Sequence, residues 1–329
     1  MYFEHELKKA AFHFAAEEYI MRDIKPIEPV YMLWQTDDTV MIGANQIADL
    51  EIDKEYALSH GIDIVRRSSG GGAIFTDKGT LLYTIILPYN SGMDPKEVAT
   101  EYFTKPVTSV LAKLGVVAMP EGRNDILIEG KKISGVAQYV QDGYLCTHGS
   151  LLFNADIDKL SRVLSVDQEK ISSKALRSVS SRVTNISYYS ITKDISVLTN
   201  GLIESFGSGR KMFDENDIVK INKIKQDQYE SRDWTFGHNP PFTFRNAHRF
   251  PEGRVEICLV VNNGVIEDCR IFGDFLALRP IFEIEDILLG TLYDGDSLSA
   301  VISDLKLTDY LDAVSKRELL CLMLGEEIA

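Results

Sequence analysis

The sequence predicts an α+β fold: a mixed β-sheet with flanking helices, followed by a small C-terminal α+β accessory domain. Three observations carry this. Apolar runs rich in Ile, Val, Tyr and Thr lie on both sides of Arg66–Gly72 and read as strands. Tight-turn signals at Glu129-Gly130, Gln141-Asp142-Gly143 and Asn262-Asn263-Gly264 separate further alternating segments. Helical stretches come between these strands, and the composition changes near residue 232.

In chain order, Ala10–Ile20 has Phe14, Ala15, Glu17 and Glu18 in a helical register, and Pro26 stops it. Val30–Gln35 and Thr39–Ile42 read as a strand pair around Thr36-Asp37-Asp38. Gly43–Gln46 is a turn, and Ile52–His60 a short amphipathic helix ended by Gly61. Asp94–Leu114 suits a helix that Pro106 breaks or kinks. Gly122–Asp125 is a loop. Ile126–Ile128 and Lys132–Val140 form a hairpin, and Tyr144–Phe153 continues the sheet. Ile157–Val163 is a short helix, Ser165–Thr184 a polar loop or marginal helix, and Ile191–Phe206 a better helix. Asp233–Phe242 carries two prolines and three aromatics, and reads as a linker that packs down. Arg254–Val261 and Val265–Phe272 make a hairpin, followed by partly helical segments at Ile281–Tyr293, Asp296–Leu305 and Tyr310–Met323. The expected domains are 1–240, catalytic, and 241–329, accessory.

Bulk properties narrow the function. The chain has 329 residues, is 45% hydrophobic and carries a formal charge of −14. A general nucleic-acid or anionic-membrane binder would be basic, so neither partner is expected. Four cysteines without CxxC spacing suggest reduced thiols, not a disulfide scaffold or zinc site. The start is unlike a signal peptide, and no apolar run approaches membrane-spanning length. A cytoplasmic enzyme is expected.

The chemistry centres on Arg66-Arg67-Ser68-Ser69-Gly70-Gly71-Gly72. Three successive glycines are entropically costly, but they leave bare N–H groups that can close on an anion. The arginines add charge suited to carboxylate or phosphate. A glycine-rich hairpin with solvated arginines is the other reading. A second stretch reads Arg123-Asn124-Asp125-Ile126-Leu127-Ile128-Glu129-Gly130-Lys131-Lys132-Ile133-Ser134-Gly135, and a third His148-Gly149-Ser150. Neighbouring strand residues face opposite sides, so one of Lys131 and Lys132 serves a pocket and the other solvent. Spacing alone does not say which.

Together with Ala11–Ile20, Ile42–Gln46 and Arg177–Asn185, these ordered motifs resemble the lipoate–protein ligase family, over about residues 10–275. The resemblance implies a sheet of the biotin/lipoate ligase type. It also implies an enzyme that uses ATP and Mg²⁺ to turn lipoate into lipoyl-AMP and then lipoylates a lysine of an acceptor protein. Lipoyl domains of 2-oxoacid dehydrogenases and the glycine-cleavage H protein are the candidate acceptors. Carried over by motif, Lys132 is the essential lysine. Arg67, Gly72, Ala73, Ile74 and Phe75 contact the nucleotide, and Arg177 and Arg182 lie in a loop over the adenylate. Ser69, Gly71, His148 and Gly149 join Arg67, Gly72 and Lys132 around lipoate. Asn124 and Asp125 are candidates for positioning Mg²⁺, with an Asx-turn as the competing reading. Thr76 and Thr80 depart from the family's usual residues, leaving fine pocket geometry and acceptor choice open. The alternatives are an octanoyltransferase of the same fold, which would need a nucleophilic cysteine, and a non-catalytic adaptor that binds lipoyl domains.

Overall fold

The computed structural model describes residues 1–4, 9–46, 48–122, 125–164, 181–207, 209–236, 243–251, 253–312, 314–326 and 328. Among these, the strands form three sheets. The largest contains β1 (Tyr2–Glu4), β2 (Val30–Trp34), β6 (Thr80–Pro88), β7 (Met119–Glu121), β8 (Asp125–Ile128), β9 (Lys131–Gln141), β10 (Tyr144–Leu152) and β11 (Arg210–Met212). Its order is β11-β1-β2-β6-β10-β9-β8-β7. β1 runs parallel to β2 and β11, and the other neighbours are antiparallel, so the sheet is mixed as expected. A small sheet packs beside it in the order β4-β3-β5: β4 (Asp63–Arg66), β3 (Thr39–Ile42), β5 (Ile74–Thr76). The third sheet, β12 (Phe244–Phe250), β13 (Gly253–Asn262) and β14 (Val265–Gly273), has its own apolar core with the C-terminal helices.

Two expectations about pairing are corrected. β2 and β3 are both strands, but they are not a pair. β2 pairs with β6, whereas β3 lies between β4 and β5. Nor is the glycine loop the tip of a hairpin, because the strands on either side of it, β4 and β5, both pair with β3. The loop therefore spans the small sheet. Asp125, expected in a loop, opens β8.

Helix α1 (Ala10–Tyr19) is buried along its whole length and seals one face of the large sheet. It runs into a π-helical turn, Ile20–Ile24, which ends at Lys25 with φ 50° just before Pro26. Helices α2 (Ala48–Glu51) and α3 (Lys54–Ser59) follow β3. The stretch around Pro106 is α4 (Pro95–Ala99), a π-helical turn (Thr100–Thr104) and α5 (Lys105–Lys113). Pro106 directly follows the π-helical turn, a local widening of the helix, and the helix continues through it without breaking. The segment read as a linker holds α6 (Arg232–Phe236), whose Trp234 and Thr235 pack against β4.

Candidate active site

A cavity of about 120 Å³ lies between the large sheet and the small one. Phe14, Trp34, Met41, Ile74, Leu82 and Leu276 supply an apolar lining. Arg67, Lys132 and His148 supply the polar groups, and Gly71, Gly72, Gly135 and Gly149 leave backbone exposed in the wall.

The two adjacent arginines part company. The Arg66 guanidinium donates to the carbonyls of Gly43, Ala44, Gln46, Trp234 and Thr235. It ties three chain segments together and is structural. Arg67, only 5% exposed, donates to the carbonyls of Met41, Gly70 and Gly72 and to Ser69 Oγ. No carboxylate is among these partners. Burial pulls both guanidinium groups down to about 10, and the Arg66 charge adds to the effect on Arg67. A buried cation without a counter-ion is costly, and an incoming anion relieves that cost.

Lys132 is presented by β9, and its side chain is 39% exposed. The Glu129-Gly130 turn that precedes it has φ of 50° and 75°, both positive as a type I′ turn requires. Ile126 pairs with Ser134 and Leu127 with Lys132, so Ile133 is an extra residue, and this bulge changes the side-chain alternation. Lys131 is exposed, while Lys132 enters the pocket wall. Lys132 Nζ lies 2.7 Å from Asp125 Oδ1. A Cβ on Gly135 would come within 3.0 Å of Lys132 Cε and Nζ, so the lysine packs closely over this glycine. On the backbone, Lys132 N–H donates to the Arg182 carbonyl and Thr184 N–H to that of Lys132.

The other sequence candidates divide. Gly71, Gly72, Ile74, His148 and Gly149 line the cavity. Gly71 N–H donates to the Phe275 carbonyl at 2.8 Å, so in this conformation it serves a backbone contact and not an anion. Phe75 is buried in the core behind the small sheet and Ala73 packs against that core. Ser69 is buried behind the wall, 2.5 Å from His148 Nε2. Arg182 is exposed. Arg177, Asn124 and most of the Ser165–Thr184 segment lie outside the described residues. Thr76 and Thr80 do not line the cavity: Thr76 Oγ1 meets Thr36 Oγ1 at 2.7 Å, and Thr80 Oγ1 donates to Asp77. Sequence reasoning placed Glu17 on a helix and gave it no role, yet it stands directly behind His148, 3.1 Å from Nδ1. Its signal was a charged pair, Glu17-Glu18, inside an otherwise apolar helix.

Fold and pocket together define a protein built to hold an anionic group joined to an apolar tail. Residues 9–207 match the lipoyl protein ligase A/B catalytic domain, and residues 239–323 the bacterial lipoate protein ligase C-terminus. The lipoate-protein ligase LplJ of Bacillus subtilis is 34% identical over 324 residues, covering 94% of this chain and 95% of its own. The chain belongs to the lipoate–protein ligase family. Among solved structures, P. falciparum LipL1 in complex with lipoate shares the fold over 99% of both chains, with TM-score 0.82 and 22% identity. A bi-partite lipoate protein ligase from Thermoplasma acidophilum, solved in work on it and its E2 lipoyl domain, matches with TM-score 0.66 and 27% identity, over 74% of this chain and 98% of its own. A lipoate-protein ligase A bound with ATP matches with TM-score 0.64 and 25% identity, over 72% and 98%. Among the described residues no helix is long and apolar enough to cross a membrane.

Proposed function

We infer that this chain activates lipoate with ATP to lipoyl-AMP and transfers the lipoyl group to a lysine of an acceptor protein. One observation carries the assignment of residues: the cavity wall contains both Arg67, buried without a carboxylate partner, and Lys132. In the first step a lipoate carboxylate oxygen attacks the α-phosphorus, an O–P bond forms, and pyrophosphate leaves. In the second the acceptor amine attacks the acyl carbon, the amide forms, and AMP leaves. Arg67 and Lys132 offset the negative charge that gathers in both steps, and they are already in place when it develops. The apolar lining accommodates the lipoyl tail. Gly71, Gly72 and Ile74 border the nucleotide, and Arg182 approaches from the strand-like contact with Lys132.

Asp125 Oδ1 lies 2.7 Å from Lys132 Nζ, an ion pair in which that buried oxygen has no hydrogen-bond partner of good geometry. We assign it to fixing the Lys132 ammonium, and propose that Mg²⁺ arrives on the phosphates of ATP. We also propose residues 1–240 as the catalytic domain and 241–329 as the accessory domain. Lipoyl domains and the glycine-cleavage H protein are the proposed acceptors. The cytoplasm, where ATP is made and thiols stay reduced, is the proposed location, in keeping with four free cysteines.

The transferase alternative is disfavoured by Cys146, the cysteine nearest the pocket. It is fully buried, and burial raises its thiol well above the ordinary range, the opposite of an activated nucleophile. The experiment is pyrophosphate release with ATP and a purified lipoyl domain. Release should depend on lipoate. Equal acceptor modification from an acyl-carrier thioester, without nucleotide, would overturn the ligase reading.

A further inference from the structure

The proposed reaction gives no role to the buried carboxylate that stands behind His148. Glu17, on α1, is 0% exposed. Its Oε1 accepts from Thr84 Oγ1 at 2.6 Å and its Oε2 from Tyr139 OH at 3.3 Å. Both oxygens lie 3.1 Å from His148 Nδ1. His148 Nε2 is 2.5 Å from Ser69 Oγ, and that oxygen accepts from Arg67 Nε at 3.1 Å. A continuous hydrogen-bonded chain thus joins a buried carboxylate to the buried guanidinium of the pocket. His148 and Arg67 border the cavity, while Glu17 and Ser69 stand behind them.

Donor and acceptor chemistry orders this chain. An ionised carboxylate only accepts, so Nδ1 carries the hydrogen that it shares with Glu17. A guanidinium only donates, so Ser69 Oγ accepts from Arg67 and its single hydrogen is free to go to Nε2. With the imidazole neutral, every partner is satisfied in one arrangement. The opposite tautomer would leave Nδ1, without a hydrogen, facing a carboxylate, two acceptors with no hydrogen between them.

We propose that Glu17 is a positioning residue for the substrate carboxylate: it fixes His148 in the Nδ1–H form, which orients Ser69 and through it the Arg67 guanidinium. The inference rests on the pocket being the acyl-carboxylate site. Glu17 touches no substrate and acts through its neighbours, much as an outer partner fixes the tautomer of a metal-bound histidine.

The test uses the full chain with Glu17→Gln, which keeps the shape and removes the charge. Lipoate binding without ATP, followed by calorimetry, should weaken about tenfold, the scale of a lost charge-assisted hydrogen bond. KM for lipoate should rise by a similar factor, with KM for ATP and kcat within about threefold. Glu17→Asp keeps the charge but falls short of the ring, and it should not rescue. The ¹⁵N resonances of His148 in the wild-type chain should report Nδ1–H and an unprotonated Nε2, a readout that needs no variant. Wild-type affinity in a folded Glu17→Gln chain, or the opposite tautomer in the wild type, would overturn the inference. So would a uniform loss of lipoate and ATP binding that tracks a lower melting temperature, which is what a purely structural role predicts. A wild-type chain that does not bind lipoate would instead overturn the functional reading beneath it.

Discussion

At the scale of single residues, the two adjacent lysines make the sharpest contrast. Lys132 faces the pocket and Lys131 the solvent, on either side of one peptide bond. Lys132→Ala should therefore slow both adenylation and transfer by a hundredfold to a thousandfold, about 3–4 kcal/mol of lost charge stabilisation. Lys131→Ala should change neither by more than about twofold, since an isolated surface charge is worth little. Pyrophosphate release and transfer from preformed lipoyl-AMP, measured separately, decide it. Asp125→Asn loosens the ammonium without removing it, and should slow adenylation about tenfold. Its Mg²⁺ dependence should match the wild type. A raised Mg²⁺ requirement would make Asp125 a metal ligand after all. The sequence alone left either lysine open, and the family motif selected Lys132. Composition and spacing alone did not separate Arg66 from Arg67 either, because the groups that claim Arg66 include Trp234 and Thr235, more than 160 residues along the chain, and the motif selected Arg67.

At the scale of elements, what was local could be read and what was long-range could not. All three hairpin turns occur where they were predicted, with positive φ at Glu129-Gly130, Asp142-Gly143 and Asn263-Gly264. Each is set by two neighbouring residues. The partners of β2 and β3 depend instead on strands that come later in the chain, so their separation into two sheets left no local mark. Glu17 is a similar case: its role needs β6, β9 and β10 side by side to bring Thr84, Tyr139 and His148 around it. The bulge at Ile133 is also silent in the sequence, yet it sets how Lys132 meets Gly135. That contact can be tested. Gly135→Ala has no left-handed backbone to strain, so its melting temperature should hold or rise slightly. The new methyl group would stand 3.0 Å from Lys132 Cε and Nζ and displace the ammonium slightly, and because catalytic geometry is exacting the rate of pyrophosphate release should fall severalfold. An unchanged rate of pyrophosphate release would mean that the position of the ammonium is not critical.

At the scale of the whole molecule, the C-terminal domain shares in the pocket. Leu276 lies in the cavity wall, and the strap that carries it is pinned by Gly273 N–H to Asn45, Phe275 carbonyl to Gly71, and Leu278 carbonyl to Val140 N–H. Gly70 permits this approach, since a Cβ there would sit 2.5 Å from the Phe275 oxygen. Charge acts across the same boundary. Glu51, at the end of α2, has its carboxyl raised to about 7, first by burial and then by Asp274 of the C-terminal domain, with Arg254 and Arg249 opposing. The folded chain therefore holds a proton on Glu51 that the unfolded chain releases near the ordinary glutamate range. Stability from this site is present at acid pH and is lost as pH rises through about 7, because ionising the half-buried carboxyl then opposes folding. Glu51→Gln removes the ionisation. At pH 8 the variant should melt about 2–4 °C above the wild type, a shift discounted for the solvent that the side chain retains. At pH 5 the two should melt nearly together. Melting curves at both values, with lipoate and ATP absent, provide the check. An equal difference at the two pH values would show that Glu51 is stabilised or destabilised by packing alone. A variant that melts below the wild type at pH 8 would reverse the sign, and would mean that Arg249 and Arg254, not burial and Asp274, dominate its surroundings.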